Sequence, residues 1–585
     1  MSDSPAADPS GSPSADPDPA DPDAPTPREA SDPPGTGADP DRPAVAATRP
    51  RRPWLSGTLS ALAVVAVWAA LVVPTRLEQL TPLAFLRIPV EGLAAAALLL
   101  LLLPRARRWI APVLGGLLGV LLIVRALDMG FLETLVRPFD PVTDWPLLGD
   151  AYAFLVGTAG QAGAIAIAAA AALLAIALVT LLALAGARIG RLVTAHRRGS
   201  AGAVAGLAVV WTACALVGAQ IVPTVPVASR STASLAKFEA EQIPTSIRDR
   251  AVFAQQAASD AYRGVPAAQR LSGLQGKDVV LTFVESYGRS AIEDPALDAQ
   301  VDQVLDAGSA ELKAAGFAAR SGFLTSPIAG GGSWMAHATF LSGLHIDNQE
   351  RYRGLVTSDR LTLSAAFRDA GWETTAIMPG TSEAWPEGKF YGFDRPYPVD
   401  TLGYRGPAYG WSSMPDQYAL HQFQDRENAR PGRGPLFSEV VLTSSHQPWT
   451  AVPSMVGWDQ LGDGSVFATQ PPITSDLPDP QRDKVQYARS IAYSLQSLIS
   501  WVRTYGDENT VLVFLGDHQP IPAVTGDGAS RDVPITIVAK DPAVLDKIAD
   551  WHWDDGLRPA HDAPVWPMEA FRDRFFQAFG SAHTP

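Results

Sequence analysis

Five long apolar runs, at roughly 54–74, 84–103, 109–127, 161–186 and 202–222, dominate the first part of the chain. Each approaches or exceeds the ~20 residues that cross a bilayer as a helix, so about five membrane helices are predicted. Residues 229–268 are polar and rich in Ala and Gln, which reads as a helical connector. From about 275 the period changes. Short runs rich in β-branched residues, Asp278–Val284, Trp372–Met378, Leu436–Thr443, Thr510–Leu515 and Val533–Val538, alternate with amphipathic segments such as 360–370 and 484–503. Strand–helix alternation of this kind predicts an α/β sandwich with a largely parallel central sheet, whose sites gather at the carboxyl ends of strands. The expected layout is a tail (1–52), a multi-pass α-helical membrane domain (53–223), a connector (224–274) and an α/β domain (275–585).

Charge adds a direction. Arg49, Arg51 and Arg52 precede the first run, Arg105, Arg107 and Arg108 separate the second from the third, and Arg188, Arg191, Arg197 and Arg198 separate the fourth from the fifth. The other connections are acidic or mixed, so the positive-inside rule predicts a cytoplasmic N-terminus and an extracytoplasmic segment after about 223. Arg87 and Glu91, four apart at the start of the second run, read either as an interfacial ion pair or as a lipid head-group site. Residues 1–52 are Asp, Pro, Ala, Gly and Ser with almost no large apolar side chains, a composition expected to stay disordered. The net charge of -14 argues against a nucleic-acid partner. The single cysteine, Cys214, permits no intramolecular disulfide and no thiolate cluster, so any metal must take oxygen and nitrogen ligands.

Three segments carry candidate chemistry. Val279-Val280-Leu281-Thr282-Phe283-Val284 ends abruptly in Glu285, a carboxylate at a strand tip or a plain turn acid. Leu512-Val513-Phe514-Leu515-Gly516 runs out into Asp517-His518. An oxygen and an imidazole nitrogen there suit Mn, Mg or Zn, and a loop cap is the alternative. Gly330-Gly331-Gly332 leads into Ser333 at the start of a helix. That serine reads either as a metal-activated nucleophile beside a helix N-terminus or as an ordinary N-cap.

In order and context the three together resemble the alkaline phosphatase–sulfatase superfamily, over roughly 277–540. With the preceding membrane helices and a single Glu after the first strand, the chain looks most like the lipoteichoic acid synthase and phosphoglycerol transferase group. The resemblance implies that Glu285, Ser333, Asp517 and His518 hold one divalent ion, manganese-like, with magnesium or zinc as alternatives. Sulfatases carry C-x-P-S-R at the nucleophile; here Ser333 takes the cysteine position, His337 the arginine position, and Ser342-Gly343 the closing pair. Met335 and His337 stand where formylglycine formation needs Pro or Ala and Arg, so an unmodified serine is expected.

Ser444-Ser445-His446-Gln447-Pro448-Trp449 resembles the family's S-x-H-x-P-aromatic stretch, which assigns His446 to the substrate phosphate or to proton transfer. Thr381–Asp394 resembles its Trp-containing loop, which adds Trp385 and Lys389 as substrate contacts beside His337. The family's substrate arginine has no counterpart, Glu387 standing at about that place.

The function this implies is transfer of a phosphoryl-alcohol group, phosphoglycerol-like, from a membrane lipid to an envelope glycopolymer or glycolipid through a phospho-serine intermediate. Two other functions stay open: a phosphodiesterase or sulfatase-like hydrolase with water as acceptor, and a non-catalytic envelope protein with a degenerate domain.

Overall fold

The structure is a computed structural model that describes residues 53–581 apart from Thr224, Glu383, Ala384 and Pro480. The expected disordered tail lies outside the described residues.

The apolar runs form helices α1 (Pro53–Val72), α2 (Val90–Leu101), α3 (Pro104–Leu135), α4 (Leu147–Ala195, interrupted at Gly160) and α5 (Arg197–Val217). Among the described residues three segments, Pro104–Leu135, Thr158–Ala195 and Arg197–Val217, are long and apolar enough to cross a membrane. The expected count of about five is thus approximate: among the described residues Ser56–Val72 and Val90–Leu101 are shorter apolar helices. The second run gives only the 12 residues of α2, or about 18 Å of helix against a hydrocarbon core of about 30 Å. Pro82 and Pro89 hold the chain before it out of α-helix, and Pro104 begins the next helix.

Within the Thr158–Ala195 and Arg197–Val217 helices the apolar side chains face outward, with Leu174 at 70% and Leu216 at 83% exposure. Surface of that kind is stable against lipid rather than water. Helices α3 and α4 pack through small residues. A Cβ at Gly115 would stand 2.2 Å from the Leu182 carbonyl, and one at Gly186 would stand 2.5 Å from that of Ala111. Backbones approach this closely only where side chains are minimal.

Arg87 and Glu91 do not pair with each other. Arg87 donates to the carbonyls of Ala84 and Val72, and Glu91 accepts from the Ala233 amide at the start of the connector helix α6 (Ser231–Ala258). Arg125, 2% exposed, donates to Val73 and Ala70 at 2.7 and 3.2 Å. Two arginines thus serve the carbonyls that α1 leaves open at its C-terminus.

The C-terminal region is built on a nine-stranded sheet. Its strands are β1 (Asp278–Val284), β2 (Ala318–Thr325), β3 (Glu373–Met378), β4 (Arg395–Pro398), β5 (Leu436–Leu442), β6 (Thr510–Gly516), β7 (Asp532–Ala539), β8 (Asp554–Asp555) and β9 (Val565–Pro567). They run in the order β8-β2-β7-β6-β1-β5-β3-β4, with β9 beside β2. The pairs from β6 to β4 are parallel, while β7 is antiparallel to both neighbours, so the sheet is mostly parallel as expected.

Alternate residues of one strand feed opposite cores. Val279, Leu281 and Phe283 pack with Phe340 and Phe367 on one face. Val280 and Val284 pack with Leu305 and Ile491 on the other. Helices α8 (Ser333–Ser342), α9 (Leu363–Asp369) and α11 (Phe571–Phe579) cover the first face; α7 (Asp298–Ala314) and α10 (Gln481–Tyr505) cover the second. Both faces of β1 and β6 are buried, which is why they read as unbroken apolar runs.

Candidate active site

Register brings the strand tips level. Val284 of β1 pairs with Gly516 of β6 on one side and Leu442 of β5 on the other. Glu285, Asp517 and Thr443, the next residue of each strand, therefore leave the sheet side by side. Suitable ligand atoms of Glu285, Asp517 and His518 lie within 4.8 Å of one another, and all three residues are buried.

Ser333 reaches this cluster from the first turn of α8. Its hydroxyl donates to Glu285 Oε2 at 2.9 Å and lies 3.3 Å from His518 Nε2. The loop before it is pinned in an unusual way. Gly330 has φ +78°, and a Cβ there would meet the Thr134 carbonyl at 2.6 Å. The C-terminal end of membrane helix α3 thus presses on the loop that presents Ser333.

The cluster has more negative charge than its own hydrogen bonds satisfy. Asp517 Oδ1 accepts from the amides of Ser286 and His518 at 2.7 and 2.8 Å, but Oδ2 is buried without a partner. The His518 Nδ1–H donates to the Gln519 carbonyl at 2.8 Å, which turns Nε2 toward Glu285 at 3.3 Å. Burial, and then the charge of Glu285, pushes Asp517 up to about 6. For His518 burial acts downward, but the two carboxylates outweigh it and raise the imidazole to about 9. Burial also opposes ionisation of Glu285, yet its bond to His518 holds it below the usual carboxylate range. An unpartnered buried carboxylate oxygen beside an imidazole nitrogen and a hydroxyl is a donor set that fits a divalent cation. This is a possible metal site.

The stretch after β5 runs beside the cluster. Ser445 Oγ donates to the Glu285 carbonyl at 2.5 Å, and the His446 charge acts on the Glu285 carboxyl. The ring of His446 stacks on Trp411 at 3.9 Å, and its Nδ1–H donates to the Gln447 carbonyl. Sequence reasoning missed two supports of this loop. Trp411 is one. The other is Asp416, fully buried, which accepts from the amides of Thr443 and Ser444 at 2.7 and 3.0 Å and from Ser494 Oγ at 2.5 Å. Nothing in the local pattern marks either residue.

Behind Ser333 opens a cavity of about 370 Å³, lined by Trp334, His337, Trp385, Tyr391, Glu439 and Asp150 among others. His337 stacks on Phe283 at 3.7 Å, with Nδ1 at 3.1 Å from Glu439 Oε1. Trp385 is half-buried and stacks on Tyr391. Lys389, expected among the substrate contacts, is exposed and lines a separate shallow groove with Val356 and Phe390. The short helix Gly388–Tyr391 turns Tyr391 inward and Lys389 outward. Glu439 was also missed. A charged residue inside the otherwise apolar strand Leu436–Leu442 is the signal that could have found it.

Comparison with known proteins accords with this architecture. Residues 278–531 match the Sulfatase family model. No curated protein matches the chain. Similar solved structures include the lipoteichoic acid synthase LtaP from Listeria monocytogenes, at 12% identity over 54% of this chain and 75% of that one, with a TM-score of 0.36. The C-terminal periplasmic domain of EcEptC from Escherichia coli is 14% identical over 52% of this chain and 82% of that one, with a TM-score of 0.36. The phosphoglycerol transferase GacH of Streptococcus pyogenes, in complex with sn-glycerol-1-phosphate, is 14% identical over 56% and 91%, with a TM-score of 0.33. The segment from Asp278 to Arg531 is a sulfatase-family domain, and the chain that carries it is an enzyme of sulfatase-like type.

Proposed function

We propose that the chain transfers a phosphoryl-alcohol group from a membrane lipid to a hydroxyl of an envelope glycopolymer or glycolipid, with its catalytic domain outside the membrane. The observation that carries this reading is the meeting of Ser333 Oγ with Glu285 and His518, at 2.9 and 3.3 Å, beside the unpartnered Asp517 Oδ2. Contact between the α3 terminus and the Gly330 loop supports a lipid-borne substrate, because it sets the nucleophile next to the membrane helices. The basic clusters between apolar runs support the orientation.

Glu285, Asp517, His518 and Ser333 Oγ would hold one divalent ion, manganese in our reading. When bound, such an ion supplies positive charge that eases ionisation of a hydroxyl and offsets charge on phosphoryl oxygens. The chain's own groups account for the rest. Ser333 passes its hydroxyl proton to Glu285 Oε2, which accepts it at 2.9 Å, and its Oγ forms a bond to phosphorus. The bond from phosphorus to the lipid alcohol breaks, and His446 protonates the leaving oxygen. In the second half the acceptor hydroxyl loses its proton to His446 and attacks phosphorus. The Oγ–P bond then breaks, and Ser333 recovers its proton from Glu285. Trp385 and His337 hold the substrate in the adjoining cavity.

Full-length protein in detergent with Mn²⁺, incubated with lipid and analysed by mass spectrometry, should yield a phospho-alcohol adduct on the Ser333 peptide. Turnover that persists undiminished in Ser333→Ala would overturn the reading, and a formylglycine at 333 would replace transfer with sulfatase chemistry.

A further inference from the structure

The cavity behind Ser333 has a chemical character of its own. Three carboxylates line it, Asp150, Glu387 and Glu439, and no Lys or Arg is among its described lining residues. Its floor carries two unpartnered buried atoms. Glu439 is 2% exposed and only its Oε1 is engaged; Oε2 has no partner, and neither has His337 Nε2. With Nδ1–H donated to Glu439, a neutral His337 offers Nε2 as an acceptor, so both open atoms seek donors. A buried carboxylate oxygen left this way costs stability unless a ligand supplies the missing hydrogen bond. The walls are aromatic, formed by Trp334, Trp385, Tyr352 and Tyr391. Aromatic faces and carboxylates attract the same kind of group, a cation. The cavity also adjoins the reacting centre: Trp334 and His337 follow Ser333 on α8.

We infer that this cavity selects an ammonium group, so that the alcohol carried on the transferred phosphoryl group is an amino-alcohol of the ethanolamine type in place of glycerol. The inference rests on the transfer function proposed above and names its substrate class. An ammonium brings three donors and no acceptor, which matches a floor of acceptors and a rim of carboxylates. Glycerol brings no positive charge to meet the three carboxylates. Asp150 comes from the start of membrane helix α4, so the membrane domain contributes one of the three selecting charges.

Two measurements separate this inference from the transfer reading. Calorimetry on full-length Ser333→Ala protein in detergent should show O-phosphoethanolamine binding at least tenfold more tightly than sn-glycerol-1-phosphate. Glu387→Gln should reduce that preference several-fold. Equal binding, tighter binding of the glycerol ester, or no binding of either compound overturns the inference. In parallel, wild-type protein is mixed with vesicles of phosphatidylethanolamine or phosphatidylglycerol and release of diacylglycerol is followed. Faster release from phosphatidylethanolamine supports the inference; faster release from phosphatidylglycerol overturns it while leaving the transfer reading intact. A binding preference with no release from either vesicle supports the cavity's selectivity and rejects the transfer reading.

Discussion

Two buried charge clusters in this protein differ in a way that separates structure from chemistry. At the end of the connector, Asp260 meets Arg572 at 2.9 Å and Arg360 at 3.3 Å, with Arg572 fully buried. Asp260 also accepts the amides of Tyr262 and Leu361, while the two guanidiniums reach the Leu361 and Ser342 carbonyls. Both oxygens of Asp260 have partners, and with Asp573, 2.7 Å from Arg572, two carboxylates balance the two guanidiniums. At Glu285, Asp517 and His518 burial is as deep, yet Asp517 Oδ2 receives no hydrogen bond, and the hydroxyl of a serine at a helix start lies 2.9 Å from Glu285. A closed cluster ties the connector to the catalytic domain. An open one waits for a ligand.

The comparison breaks most sharply at Ser333. Ser333→Ala should lower turnover by about a thousandfold or more while leaving thermal unfolding close to wild type, since the change removes the nucleophile of the proposed reaction and little packing. An unfolding temperature that falls with activity would make the open cluster structural as well.

Next comes Asp260→Ala, which removes the carboxylate that two buried guanidiniums share. It should cost about 3–5 kcal/mol of stability by thermal or denaturant unfolding. A loss below about 1 kcal/mol would remove the contrast between the two clusters.

Asp517→Asn should abolish divalent-ion binding, measured by calorimetry. The stability of the metal-free protein should stay within about 1 kcal/mol, because the substitution neutralises a carboxylate whose second oxygen is unpartnered. A large destabilisation would mean that Asp517 acts mainly through its bonds to the Ser286 and His518 amides.

The smallest expected effect is on pH dependence. Burial pushes Asp260 up, but the Arg572 and Arg360 charges outweigh it and hold its carboxyl below the ordinary 3.8. A depressed carboxyl contributes stability that is fully present above its unfolded value and is lost as pH falls through the folded one. Stability should therefore decline below about pH 4, and Asp260→Asn should flatten that decline. An unchanged acid limb would place the loss at other carboxylates.

Much of this molecule is readable along the chain. The strands Asp278–Val284 and Leu436–Leu442 match their apolar runs within a residue, because burial on both faces leaves no polar position to blur them. Glu285, Ser333, Asp517 and His518 stood out because each breaks a strong local pattern. Strand β2 did not, since Arg320, Ser321 and Gly322 interrupt its apolar character. Asp416 and Trp411 act at a distance, and their own neighbourhoods carry no mark of it. Proline, by contrast, shortened the second apolar run in a way hydropathy alone does not weigh.

By itself the sequence determined where strands end in a carboxylate or an Asp-His pair, where glycines deliver a serine to a helix, and where basic residues flank apolar runs. These are local properties, set by backbone sterics and side-chain type. Only the tertiary structure decided that Glu285 and Asp517, more than two hundred residues apart, leave the sheet at one level, that Glu439 stands under His337, and that the α3 terminus presses on Gly330. Strand register and domain contact arise from packing both faces of the sheet at once, and no short stretch of chain encodes that sum.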